Sequence, residues 1–192
     1  MNEGAVKMRI ISLLFLSVVL LPGCALQAEK YEIDAENIQI LKRNLKSDVA
    51  VGKFSVDAKN KDKINNITFR GSTFVSPYNG SYGDYLQAAI TEDLKQASHY
   101  SAKSSIKVSG VLLKNEFDAS GVNVGTASIT ARVIVNNSGV EKFNKIVSYA
   151  HEWESYFAAF SALPAAKIAY VDVYRNLLKK IYLDKDFINA CK

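Results

Sequence analysis

The sequence predicts an α+β fold: an antiparallel β-sheet with two helices packed on one face, in the order β-β-α-β-β-β-α. Three observations carry this reading. Apolar residues recur at helical spacing in two stretches, near 84–98 and 161–181. Between them, three segments alternate apolar and polar residues with period two, the pattern of a sheet with one covered face. The last two of these segments are joined by Asn136-Asn137-Ser138-Gly139, residue types that accept the positive φ of a tight hairpin.

The chain opens with Lys7 and Arg9, followed by an apolar run from Ile10 to Leu21 broken only by Ser12 and Ser17. A run of about a dozen residues is too short for a transmembrane helix, which needs roughly 20, and fits a cleavable signal segment. It ends in Leu21-Pro22-Gly23-Cys24. This resembles the bacterial lipoprotein signal, with Pro22 a departure from its usual second residue. The resemblance implies cleavage before Cys24, a diacylglycerol on its thiol and an acyl chain on the new amine. Each buried CH₂ contributes about 0.8 kcal/mol, so two or three chains make a stable anchor where one holds only marginally. Because Ala25 rather than Asp follows the cysteine, it also implies an outer-membrane protein facing the periplasm. The alternative is an ordinary signal peptide ending beside a free Cys24.

Residues 1–23 are thus a signal peptide, 24–47 a lipidated N-terminus and tether, and 48–192 a single domain long enough to bury a core. The tether is mostly polar and would span roughly 25 Å as a coil, although Ile38, Ile40 and Leu41 could dock as a short turn. In the domain, 48–56 alternates as a strand, 59–66 is a charged loop, and Ile67–Phe69 is a second short strand. Pro77, Asn79, Gly80 and Gly83 mark a turn, after which Ser81 or Asp84 can cap a helix. That helix, 84–98, turns Leu86, Ala89, Ile90, Leu94 and Ala97 inward and leaves Glu92, Asp93 and Lys95 to solvent. Residues 105–117 place Ile106, Val108 and Leu112 on one face, with Gly110 suited to a bulge. Residues 125–136 turn Ala127, Ile129, Ala131, Val133 and Val135 inward. Residues 140–153 align Val147, Tyr149, His151 and Trp153. Ser161 and Pro164 open the last helix, with Ile168, Val171, Tyr174, Leu178 and Ile181 as its apolar stripe.

Removing residues 1–23 takes away Lys7, Arg9 and Glu3 and lowers the net charge of +5 by one. The remaining cations are spread along the chain, so no concentrated basic face for nucleic acid is expected. With Cys24 lipidated, Cys191 has no partner for an internal disulfide, and as the penultimate residue it is expected at a frayed end. His151-Glu152-Trp153-Glu154 lacks the second histidine of a zinc-protease motif, and no nucleophile elbow or phosphate loop occurs in the mature chain. No cofactor or metal is expected. Candidate binding residues are Tyr78, Tyr82 and Tyr85 around the turn before the first helix, since tyrosine offers rigid amphipathic contact area. Trp153, with Tyr156 close by, is a second candidate. In each case the alternative is aromatic packing.

Arg70-Gly71, the turn at Pro77 to Gly80, the pattern from Tyr85-Leu86 through Leu94 and Ala97, and Gly110-Val111-Leu112 resemble a group of small proteobacterial lipoproteins over most of 67–185. More distantly, the arrangement resembles the auxiliary lipoproteins of envelope transport systems. The resemblance carries over no functional residue beyond Cys24. Anchor, tether and domain without a catalytic constellation lead to the expectation of a non-enzymatic accessory lipoprotein of an envelope assembly or transport complex. Its partners would be the membrane, through acylated Cys24, and an envelope protein. A lipid- or glycan-binding carrier would instead show a sizeable apolar pocket, and an unfamiliar hydrolase would show clustered polar groups with perturbed pKa values.

Overall fold

The computed structural model describes residues 26–69, 72–121, 123–155 and 158–192. The first half contains β1 (Leu26–Gln27), α1 (Ala35–Asn44), β2 (Ala50–Val56), α2 (Lys61–Asn65), β3 (Ile67–Phe69), β4 (Ser72–Val75) and α3 (Tyr82–Gln96). The second half contains β5 (Ile106–Asp118), β6 (Val124–Asn137), β7 (Val140–Glu154), α4 (Ala159–Tyr182) and α5 (Lys185–Ala190). The fold is α+β. A four-stranded sheet runs β2-β5-β6-β7, and a small three-stranded sheet runs β1-β4-β3.

The expected meander is present. β5, β6 and β7 pair antiparallel, and the last two are closed by Ser138 and Gly139 at φ 51° and 81°. The inward residues of β6, from Ala127 to Val135, are buried; α4 and α5 pack against β6, and α3 packs against β2 and β5. The sheet as a whole is mixed, not antiparallel: β2 pairs parallel with β5. The reason is the connection, because α3 lies between the two strands and returns the chain to the same end, as a parallel pair requires. The irregularity in β5 falls between Leu112 and Lys114, not at Gly110.

The segment 24–47 is not a free tether: from Leu26 onward it belongs to the fold. β1 pairs with β4, and α1 buries Ile38, Ile40 and Leu41. Its N-cap is Asp34, whose Oδ1 accepts from the backbone N–H of Glu36 and Asn37. The 59–66 loop contains α2 and a 3₁₀ turn. Helix α4 starts before Pro164, and its buried face runs through Ala166, Tyr170, Val173, Tyr174, Leu177 and Ile181. Ile168 does not belong to that stripe. Two residues beyond Ala166 it lies about 200° round the helix, and it is 63 % exposed. Nor is the C-terminus frayed: α5 packs Phe187 against Phe143, and Cys191 is fully buried.

Candidate functional site

Cys24 and Tyr156 lie outside the described residues, as do Arg70 and Gly71. The turn before α3 forms as its residues dictate, with Asn79 and Gly80 at positive φ. Ser81 is the cap, its Oγ accepting from the backbone N–H of Asp84 at 3.2 Å. This start aims Tyr82 and Tyr85 inward, where both are fully buried. The Tyr82 hydroxyl donates to the Phe74 carbonyl at 3.1 Å. The Tyr85 ring lies 4.4 Å from that of Tyr174 and 5.3 Å from that of Tyr78. Tyr82 and Tyr85 are therefore core residues rather than a recognition surface, and Tyr78 is half-buried above them.

Trp153 is also half-buried, and its position has a packing cause. It stands opposite Gly125 in the β6–β7 register, and a Cβ on that glycine would come 2.3 Å from the indole. The missing side chain makes room for the ring, which stacks on Phe117 with centroids 5.1 Å apart. His151 also stacks against Trp153. Phe117 in turn stacks on Phe74, and Tyr170 meets both edge-on. A continuous aromatic layer thus fills the space between the main sheet, the small sheet and α4.

The polar feature of this layer is Asp93, placed in solvent by the helical spacing but fully buried in the structure. Tyr31, between β1 and α1, donates its hydroxyl to both carboxylate oxygens at 3.0 Å. Tyr182, at the end of α4, donates to Oδ2 at 3.1 Å. Burial pushes the Asp93 carboxyl up to about 7, against the lowering effect of the Tyr31 and Tyr182 hydrogen bonds. Burial likewise raises the Tyr31 hydroxyl, reinforced by the neighbouring Asp93 charge. A sequence signal for Asp93 existed: it sits four residues after Ala89 and four before Ala97, inside the apolar stripe.

Asp93 joins three segments that are distant in sequence, and ion pairs extend the junction. Lys167 meets Glu29 and Lys179 meets Glu36, each at 2.6 Å. Arg175 donates through Nε to the Glu32 carbonyl, and its own carbonyl accepts from Asn37 Nδ2. Residues 26–44 therefore form a strap along α4. A second polar link lies deeper, where the Tyr170 hydroxyl donates to Asn115 Oδ1 and Asn115 Nδ2 donates to the Ile64 carbonyl.

Asp93 is fully buried, and clefts open on the surface elsewhere. One of about 450 Å³ lies beside Tyr78, lined by Pro77, Asn79, Asp84, Gln87 and Thr91. Among the described residues no group of three or more His, Cys, Asp or Glu side chains is placed to hold a metal ion. No helix among them is long and apolar enough to cross a membrane.

No family model matches the chain, and no curated protein matches it. Solved structures do. A Xanthomonas campestris protein of family DUF330 superposes with a TM-score of 0.56 at 12 % identity, covering 86 % of this chain and 95 % of that one. A candidate lipoprotein of Caulobacter crescentus gives 0.46 at 12 % identity, with coverages of 81 % and 94 %. A minor lipoprotein of Acinetobacter baumannii gives 0.40 at 9 %, with coverages of 72 % and 92 %. The first of the three, at this identity, shows a shared fold over 86 % of this chain and 95 % of that one.

Proposed function

We propose that this chain is a lipid-anchored, non-enzymatic accessory protein of an envelope assembly or transport complex, held in the outer membrane through acylated Cys24 with its domain in the periplasm. One observation favours it over the carrier reading. The interlayer space where a lipid or glycan would be carried is occupied by Phe74, Tyr82, Tyr85, Phe117, Tyr170 and Tyr174 in mutual ring contact. A carrier needs a concave apolar site of several hundred Å³, and here that volume is side chain. The ending Leu21-Pro22-Gly23-Cys24 supports the anchor, and the chain's likeness to the DUF330 structure supports the fold.

The test is in-cell cross-linking with a tag after Lys192, which is exposed, followed by purification from membranes with Cys24→Ala alongside. A discrete envelope protein recovered with the parent chain, and lost with Cys24→Ala, is the expected result. Lipid or glycan co-purifying without a protein would replace this reading with the carrier.

A further inference from the structure

We infer that the domain does not stand clear of the membrane but rests on the bilayer surface, on the end where β1 joins the fold and the N-terminal half of α4 lies. This rests on the lipid anchor proposed above, and it follows from how little chain is free. Only Ala25 separates Cys24 from Leu26, which is paired with Phe74, and the Ala28 N–H donates to the Val75 carbonyl at 2.9 Å. Two residues reach at most about 7 Å when fully extended. The strap beyond them yields no slack, being fixed by Tyr31 on Asp93 and by the Glu29–Lys167 and Glu36–Lys179 pairs.

The surface at that end suits a lipid interface. Ile168, the most exposed large apolar residue described, follows Lys167, whose Nζ reaches the strap at Glu29 just after β1. Pro164, one turn back on the same outward face, is exposed too. Apolar side chains in such a position enter the headgroup boundary once an anchor holds them there. The opposite end is fixed by the strands. The Phe74 ring stacks on Phe117, which is paired with Ala127. The β6–β7 hairpin lies ten residues further along β6, roughly 30 Å away at 3.3 Å per residue. That end carries Val140 and the C-terminus, where Asn137 Nδ2 donates to the Lys192 carbonyl.

The experiment uses the full-length lipidated chain in vesicles of phosphatidylethanolamine and phosphatidylglycerol. Ile168→Cys and Val140→Cys, both at exposed positions, each receive an environment-sensitive fluorophore, since Cys191 is buried and Cys24 carries lipid. Headgroup-proximal doxyl lipid is expected to quench the label at 168 and to spare the label at 140. Quenching of neither would mean that the domain stands clear, and quenching of both that it lies flat; each overturns the inference while leaving the anchor intact. Mass spectrometry of the N-terminal peptide separates the two levels. An unacylated Cys24 would remove the anchor itself, and the inference with it, before any quenching is read.

Discussion

Replacing Asp93 with Asn removes the charge from the buried carboxyl while keeping its size and an oxygen for the tyrosine hydroxyls. The sign of the effect follows from proton linkage. In the unfolded chain the carboxyl ionises near 3.8; in the fold it keeps its proton up to about 7. The folded state therefore binds the extra proton between these values, and stability falls as pH rises through that window. The full difference is about three units, on the order of 4 kcal/mol at 1.36 kcal/mol per unit. Of this, about 2.5 kcal/mol is lost between pH 5 and pH 8. Urea unfolding of the domain and of Asp93→Asn at both pH values isolates the group, because every other titration cancels in the difference between the two proteins. The Asn variant is expected to gain about 2.5 kcal/mol relative to the parent on going from pH 5 to pH 8. A difference that is the same at both pH values would refute the reasoning.

The neighbouring groups give three further expectations. Tyr31→Phe leaves the carboxylate with one donor, and at pH 8 it should cost about 1.5–3 kcal/mol, as for a hydrogen bond to a charged group. The cost should shrink at pH 5, and hydrogen exchange should show residues 26–44 opening more readily. Gly110→Ala places a Cβ 2.2 Å from the Arg132 carbonyl oxygen and 2.7 Å from the Phe54 ring. The strand backbone cannot yield, so a loss of at least about 1–3 kcal/mol is expected in thermal unfolding. The Cys191 thiol, pushed up to about 12 by burial, should resist alkylation in the folded protein and react as soon as denaturant unfolds it.

What the sequence showed plainly was whatever depends on local periodicity. The alternation of Ala127 to Val135, the stripe of α3 and the Ser138-Gly139 turn stand where the pattern put them. What it hid depends on partners far along the chain. Residues 24–47 look polar because their acids are matched to Lys167, Arg175 and Lys179, more than a hundred residues away. Yet Ile38, Leu41 and Leu45 already sit on one helical stripe behind an Asp cap. The parallel pairing of β2 is likewise invisible locally, since β2 and β5 are brought together across α3. The tyrosines before α3 were ambiguous for another reason. Amphipathic rings serve equally in a core and on a surface, and only the direction of the helix start decides between them.

The strap also sets an order of events. Its ion-pair partners Lys167, Arg175 and Lys179 all lie in α4, near the other end of the chain. A chain made from its N-terminus delivers residues 26–44 first and the α4 face they pair with last. Contacts of such sequence separation form late, after the loop between them has been closed. Residues 26–44 thus close against α4 only once that helix has arrived. Completion of the fold, on this account, waits for α4.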